Sequence, residues 1–213
     1  EMLYRDLPLD SLSFSQSLPS VAAIGRLYLV ATARGVAAEK LRGSAIQVAL
    51  YEDDCCYSRH LPLALRTRLA TDSIAFATEK MPKFHALLED TYYFSESGLE
   101  SVEEMALGFV ELRFYIRALI ERGIDVDAFA PRIGILLTCR MDLFEEIAKI
   151  RASRRLYARM MKEEFGARDA RSMALTVTAH TSGLTMTAQQ PVNNVARGGM
   201  QALAMALAGV QAM

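Results

Sequence analysis

The feature that most constrains this chain is a rhythm in which short apolar runs are separated by segments of helical periodicity. The runs are Leu12–Leu18, Ser44–Leu50, Phe84–Phe94, Ile133–Cys139 and Met173–Ala179, and a sixth begins at Val210. Between them, Asp142 is expected to cap a helix, with Glu145 three residues on as the return half of a capping box. Leu143, Ile147, Ile150, Tyr157, Met161 and Phe165 then fall on one face, and Gly166 stops the helix. Glu145 and Lys149 are spaced as a favourable i,i+4 pair. In Ser101–Arg122, Val102, Met105, Phe109, Ile116 and Leu119 share a side and Gly123 follows. Ala22–Arg34 likewise runs into Gly35. Strands and helices that alternate in this way imply parallel strands joined by helical crossovers. Strands covered on both faces read as continuous apolar runs, as Ile133-Gly134-Ile135-Leu136-Leu137 does. A doubly wound sheet and an eightfold barrel share the pattern. No Gly-rich phosphate loop follows the first run, which weakens the nucleotide-binding version.

Five units in 213 residues average about 43 residues each, and eight such units need roughly 340, within the range of (β/α)8 barrels. An open five-stranded remnant leaves unpaired strand edges. The chain opens on Glu1 rather than Met and closes on the apolar stretch Gly209–Met213. The expectation is therefore an α/β chain forming a partial (β/α)8 TIM barrel over residues 1–213, with five to six of the eight strand–helix units. The first strand and the last two are expected outside these residues.

Composition excludes some classes. The net charge is −1, without the basic footprint of a nucleic-acid binder. The longest apolar run, Ala202–Val210, is far short of the roughly 20 residues that span a membrane, and no leader peptide is visible. Cys55, Cys56 and Cys139 fit neither a disulfide framework nor a zinc site, which suits a reducing, cytoplasmic setting. No metal cluster, nucleophile elbow or P-loop is present.

In a barrel, chemistry collects in the loops after the strands. His180 lies just past the fifth run, Tyr92 and Tyr93 end the third, and Glu96 follows. Each also has a plain structural reading: a surface histidine, half-buried tyrosines, an acid that precharges the next helix. Alternation puts Ser13, Ser15 and Ser17 on one face, and Ser44 and Gln47 are further polar residues within strand-like runs. Small hydroxyls there line a narrow channel or form an ordinary polar face. His60 and His85 have no partner at ligand spacing, so surface or packing roles are expected of them.

The stretch from Gly123 to Arg197 carries a more specific text. It includes Asp125-Val126-Asp127-Ala128-Phe129-Ala130-Pro131-Arg132 and Met141-Asp142-Leu143-Phe144-Glu145-Glu146-Ile147-Ala148-Lys149. Thr181-Ser182-Gly183-Leu184-Thr185-Met186-Thr187-Ala188-Gln189-Gln190-Pro191 follows, then Asn193-Asn194 and Arg197. Together with Lys40-Leu41-Arg42-Gly43 and the segment from Pro8 to Ser17, this resembles the methylmalonyl-CoA mutase family over nearly the whole chain. The resemblance implies a barrel that threads an acyl-CoA along its axis, capped by a cobalamin-binding domain or subunit that is absent from these residues. It implies adenosylcobalamin as cofactor, a radical carbon-skeleton rearrangement (an isomerase), and a homo- or heterodimer. On the matching positions, Ser15 and Ser17 meet the CoA arm. Ser44, Gln47, Tyr92 and Arg132 are further substrate-lining positions, and Arg171 matches a basic residue near CoA. Glu96, Gly183 and Leu184 match positions facing the corrin.

The departures are specific. The family's Gly-Tyr-His reads Thr91-Tyr92-Tyr93, so Tyr93 replaces the histidine that hydrogen-bonds the thioester carbonyl; a phenol donates a hydrogen bond but does not become a cation. The Gln-Asn-Asp of the family reads Gln47-Val48-Ala49, allowing one inserted residue. The Arg that grips the free carboxylate of methylmalonyl-CoA aligns near Tyr57, which removes the bidentate clamp. The family's His-x-Gln reads Thr178-Ala179-His180. The resemblance thus implies an acyl-CoA mutase whose substrate is not methylmalonyl-CoA, with Tyr93 and His180 at the reacting carbons. The alternative is a non-catalytic barrel subunit that supports an active partner.

Overall fold

The computed structural model describes residues 2–16, 20–47, 50 and 61–213. Ser17, Tyr57, Cys55, Cys56 and His60 lie outside the described residues. The five strands are β1 (Ser13–Gln16), β2 (Arg42–Gln47), β3 (Phe84–Asp90), β4 (Ile133–Cys139) and β5 (Thr176–Thr181). They form one sheet in the order β1-β2-β3-β4-β5, and β1/β2, β2/β3 and β4/β5 pair in parallel. The helices are α1 (Ser20–Ala33), α2 (Leu63–Lys80), α3 (Tyr92–Glu96), α4 (Ser101–Glu121), α5 (Val126–Phe129), α6 (Leu143–Glu163) and α7 (Asn193–Ala208). Parallel neighbours in strict chain order, each reached through helix, are the arrangement of a partial (β/α)8 barrel. Two compact units divide the chain: Glu1–Glu89 with Arg113–Ile133, and Asp90–Leu112 with Gly134–Met213.

In the first unit, β1 and β2 alternate. Gly43, Ala45 and Gln47 are buried, while Ser13, Ser15 and Arg42 are exposed and Ser44 half-buried. Ser15 pairs with Ser44, and Ser44 with His85, so these side chains share one face. The opposite face packs under α1 and α2 through Ala23, Ile24, Leu27, Ala70, Ile74 and Ala77, all buried.

In the second unit, every residue of β4 is buried, as its unbroken apolar run requires. Asp142 caps α6, its Oδ1 accepting the Glu145 N–H at 3.0 Å. The sixth run is visible as a bridge: Ala212 pairs in parallel with Thr178, and Gln211 N–H donates to the Val177 carbonyl at 2.8 Å.

Four expectations change. The third run ends as a strand at Asp90, because the Asp90 carboxylate accepts the Tyr92 N–H at 3.0 Å and turns the chain into α3. The fifth strand begins at Thr176, since Ala170–Met173 is a 3-10 turn capped by Asp169. Val102 is exposed, and the buried side of α4 runs instead through Phe109, Leu112, Tyr115, Ile116 and Leu119. Lys149 does not pair with Glu145 on the surface; it is buried and bonded to Glu104 and Glu146.

Candidate functional site

Two groups of side chains stand out, one in each unit. In the first, an open groove of about 600 Å³ is lined by Ser13, Arg42, Gly43, Lys83, His85 and Arg132. These residues sit at the starts of β1, β2 and β3 and immediately before β4. Three cations therefore gather at the N-terminal ends of parallel strands, on the face that also carries Ser15 and Ser44. Arg132 is anchored by its Nε, which donates to the Pro82 carbonyl at 2.6 Å. His85 is half-buried, and its Nδ1 is enclosed without a hydrogen-bond partner. Burial, and then the Arg132 guanidinium, push its imidazole below the ordinary value, so it is neutral at pH 7. It therefore packs at the edge of the groove. Arg42, Lys83 and His85 were not among the expected site residues. Their signal was positional: each lies at or just before the start of a strand, as Arg132 does.

Gln47 departs from expectation. Its side chain is fully buried on the helix-facing side, opposite Ser44. Oε1 accepts from Ser20 Oγ at 2.7 Å, and Nε2 donates to the Ala86 carbonyl at 2.5 Å and to Ser73 Oγ at 3.3 Å. An amide so fully engaged between sheet and helices is a packing group rather than a channel wall.

In the second unit, the residues after the strand ends meet. The Tyr92 ring stands edge-to-face against Tyr93 at 5.6 Å and against His180 at 5.5 Å between centroids. Burial, with the charges of Glu96 and Asp90 beside it, raises the Tyr92 phenol above its ordinary range, so it remains a hydrogen-bond donor at neutral pH. Glu96 holds the loop after β5: Oε1 accepts from Ser182 Oγ at 2.7 Å and Oε2 from the Leu184 N–H at 3.1 Å. At Gly183 a Cβ would stand 2.9 Å from Glu96 Oε2, so a side chain here would require the carboxylate to shift. Leu184 is left 56% exposed. Arg140, just past β4, fixes the other flank through Ser95 Oγ at 3.1 Å, the Ser95 carbonyl at 2.9 Å and Glu100 at 3.0 Å.

Two further expected residues have contacts of their own. Thr178 is half-buried, with Oγ1 3.4 Å from the Ile135 carbonyl. Arg171 is exposed and held by its own capping residue, Asp169, at 2.7 Å. Among the described residues no group of His, Cys, Asp or Glu could hold a metal ion, and no helix is long and apolar enough to cross a membrane.

The alternation of parallel strands and helices is that of a partial (β/α)8 barrel. The family described as methylmalonyl-CoA mutase matches residues 1–213. Methylmalonyl-CoA mutase of Escherichia coli (strain K12) is 34% identical over all of this chain and 30% of its own length. The 2-hydroxyisobutanoyl-CoA mutase large subunit of Aquincola tertiaricarbonis is 32% identical over all of this chain and 38% of its own length. The human mitochondrial methylmalonyl-CoA mutase is 27% identical over all of this chain and 29% of its own. The chain belongs to the methylmalonyl-CoA mutase family. It spans 29–38% of the length of these relatives.

Proposed function

We propose that the protein is an adenosylcobalamin-dependent acyl-CoA mutase acting on a substrate other than methylmalonyl-CoA. The observation that carries the acyl-CoA reading is the groove of Arg42, Lys83, His85 and Arg132 opening onto the face of Ser13, Ser15 and Ser44. The cations suit the phosphates at the nucleotide end of CoA. The small hydroxyls leave room for the slender arm and offer it hydrogen bonds. In this reading Arg132 and the serines, Ser17 included, hold the substrate. The exclusion of methylmalonyl-CoA rests on the sequence at Tyr57, near which the family's carboxylate-gripping Arg aligns.

The cofactor side fits as well. Gly183 leaves no side chain over the loop, Leu184 presents exposed apolar surface, and Glu96 fixes both. Glu96, Gly183 and Leu184 would hold the corrin in this reading. When bound, adenosylcobalamin supplies radical chemistry through homolysis of its cobalt–carbon bond. The chain's own contribution is positional: Tyr92 and Tyr93 offer phenolic donors to a thioester carbonyl, and His180 closes the aromatic cluster. The partners of this reading are a cobalamin-binding domain or subunit and a second barrel, in a homo- or heterodimer in the cytoplasm.

The test combines the full-length protein with its cobalamin-binding domain or subunit, adenosylcobalamin and a panel of branched acyl-CoA esters. Isomer formation is expected. Absence of both corrin binding and any isomer overturns the reading; if a partner subunit is active alone, a supporting barrel takes its place. Arg42→Ala in the full-length protein is expected to weaken CoA binding by about tenfold, the value of one charge-assisted contact. The loss should shrink at high salt, as read by titration calorimetry with CoA.

A further inference from the structure

The second unit contains a buried charge cluster that the proposed chemistry does not use. Lys149 and Glu104 bond at 2.8 Å, and Lys149 and Glu146 at 2.7 Å, with side-chain exposures of 2% for Lys149 and 1% for each glutamate. The ammonium has three donors; the third reaches the Thr138 carbonyl at 2.7 Å. Glu104 is equally committed. Its Oε2 takes Lys149, and its Oε1 lies 2.8 Å from both the Thr138 N–H and the Thr91 hydroxyl.

Thr91 is the link to the aromatic cluster. It is fully buried and is the residue immediately before Tyr92. Its N–H donates to the Leu136 carbonyl at 3.0 Å, and its Oγ1 is 2.8 Å from the same oxygen. Its methyl group is fitted against α4, where a Cβ on Gly108 would stand 2.4 Å from Thr91 Cγ2. The exits of β3 and β4 are thus tied to α4 and α6 through one carboxylate. Apolar replacements of a buried ion cluster are often no less stable, so fold stability alone does not call for charge here. One residue beyond the tie, Tyr92 packs on His180.

We propose that Thr91, Glu104 and Lys149 are positioning residues that fix the Tyr92–Tyr93 turn and thereby the contact of Tyr92 with His180. That this contact serves catalysis rests on the mutase reading; that the cluster sets it does not. The test labels the full-length protein with carbon-13 histidine and assigns the His180 ring signal with His180→Gln. The Tyr92 ring current makes that signal a gauge of the contact. Thr91→Val, which keeps shape but loses the hydroxyl, is expected to move the His180 signal toward its position in Tyr92→Ala. Thr91→Ser is expected to restore it. An unmoved signal in folded Thr91→Val overturns the proposal. If Thr91→Val does not fold, Glu104→Gln and Gly108→Ala carry the same readout, and unmoved signals in both overturn it. With an acyl-CoA substrate in hand, Thr91→Val should lower kcat by about tenfold with KM nearly unchanged. A moved signal in a protein without mutase activity keeps the positioning role and removes the catalytic one.

Discussion

Gly43→Ala is expected to abolish the folded state of the first unit. Gly43 has a φ of 144°, a backbone region that residues with a Cβ rarely enter. An added Cβ would lie 2.1 Å from the Phe14 carbonyl oxygen and 2.8 Å from the Phe14 carbonyl carbon. The obstacle is backbone, not a side chain that can swing away, and Phe14 is the strand partner of Gly43. Relief therefore requires β1 and β2 to part. Strain and lost pairing together are worth on the order of 4–5 kcal/mol, a large share of the stability of a whole domain. Low soluble yield and loss of a cooperative thermal transition are the expected readouts. A variant that melts within about 2 °C of the parent would show that the strands accommodate the methyl group.

Lys149→Met is the second large effect. It leaves Glu104 and Glu146 facing each other in the interior without their shared cation. Breaking a buried ion pair from one side costs about 3–5 kcal/mol. The pH dependence has a definite sign. Burial already holds the Glu146 carboxyl above the usual carboxylate range, and the Lys149 charge is what opposes this. A carboxyl that binds its proton more tightly folded than unfolded loses stability as the pH rises from the ordinary carboxylate range through its raised folded value. Without Lys149 that rise grows. The gap between parent and variant in urea midpoint should therefore be widest at pH 7 and narrow toward pH 5. A gap that is constant or widens on acidification would show that the carboxylates are not the source of the loss.

What the sequence revealed depended on whether a signal was local. Ile133–Cys139 was legible to the residue because burial on both faces leaves an unbroken apolar run. The cap of α6 was legible because Asp142 acts on an N–H three residues away. The partners of Lys149 were not: spacing on one helix pointed to Glu145, whereas the residues it meets are Glu146, one position further along α6, and Glu104 on α4. Gln47 was misjudged for a related reason. Its hydrogen-bond partners Ser20, Ser73 and Ala86 come from three different elements, and the register between β2 and β3 shifts between Ser44 and Ile46. In the candidate site, Tyr92, Tyr93, His180, Glu96, Gly183 and Leu184 were expected from motif text, and the structure brings Tyr92, Tyr93 and His180 together and ties Glu96 to the loop of Ser182 and Leu184. The cationic groove was missed because Arg42, Lys83 and His85 are scattered singly along the chain and become neighbours only when the strands align.

Cys139 has a practical consequence. Its thiol is enclosed by Ala179, Ala204 and Met205, lies 3.4 Å from the Gln201 carbonyl, and is pushed by burial up to about 12. A thiol that is both shielded and protonated does not react with alkylating reagents while the core is closed. Its modification rate therefore counts openings of the β4–α7 core, giving the native protein a built-in clock for local unfolding under conditions where spectroscopic probes register no change.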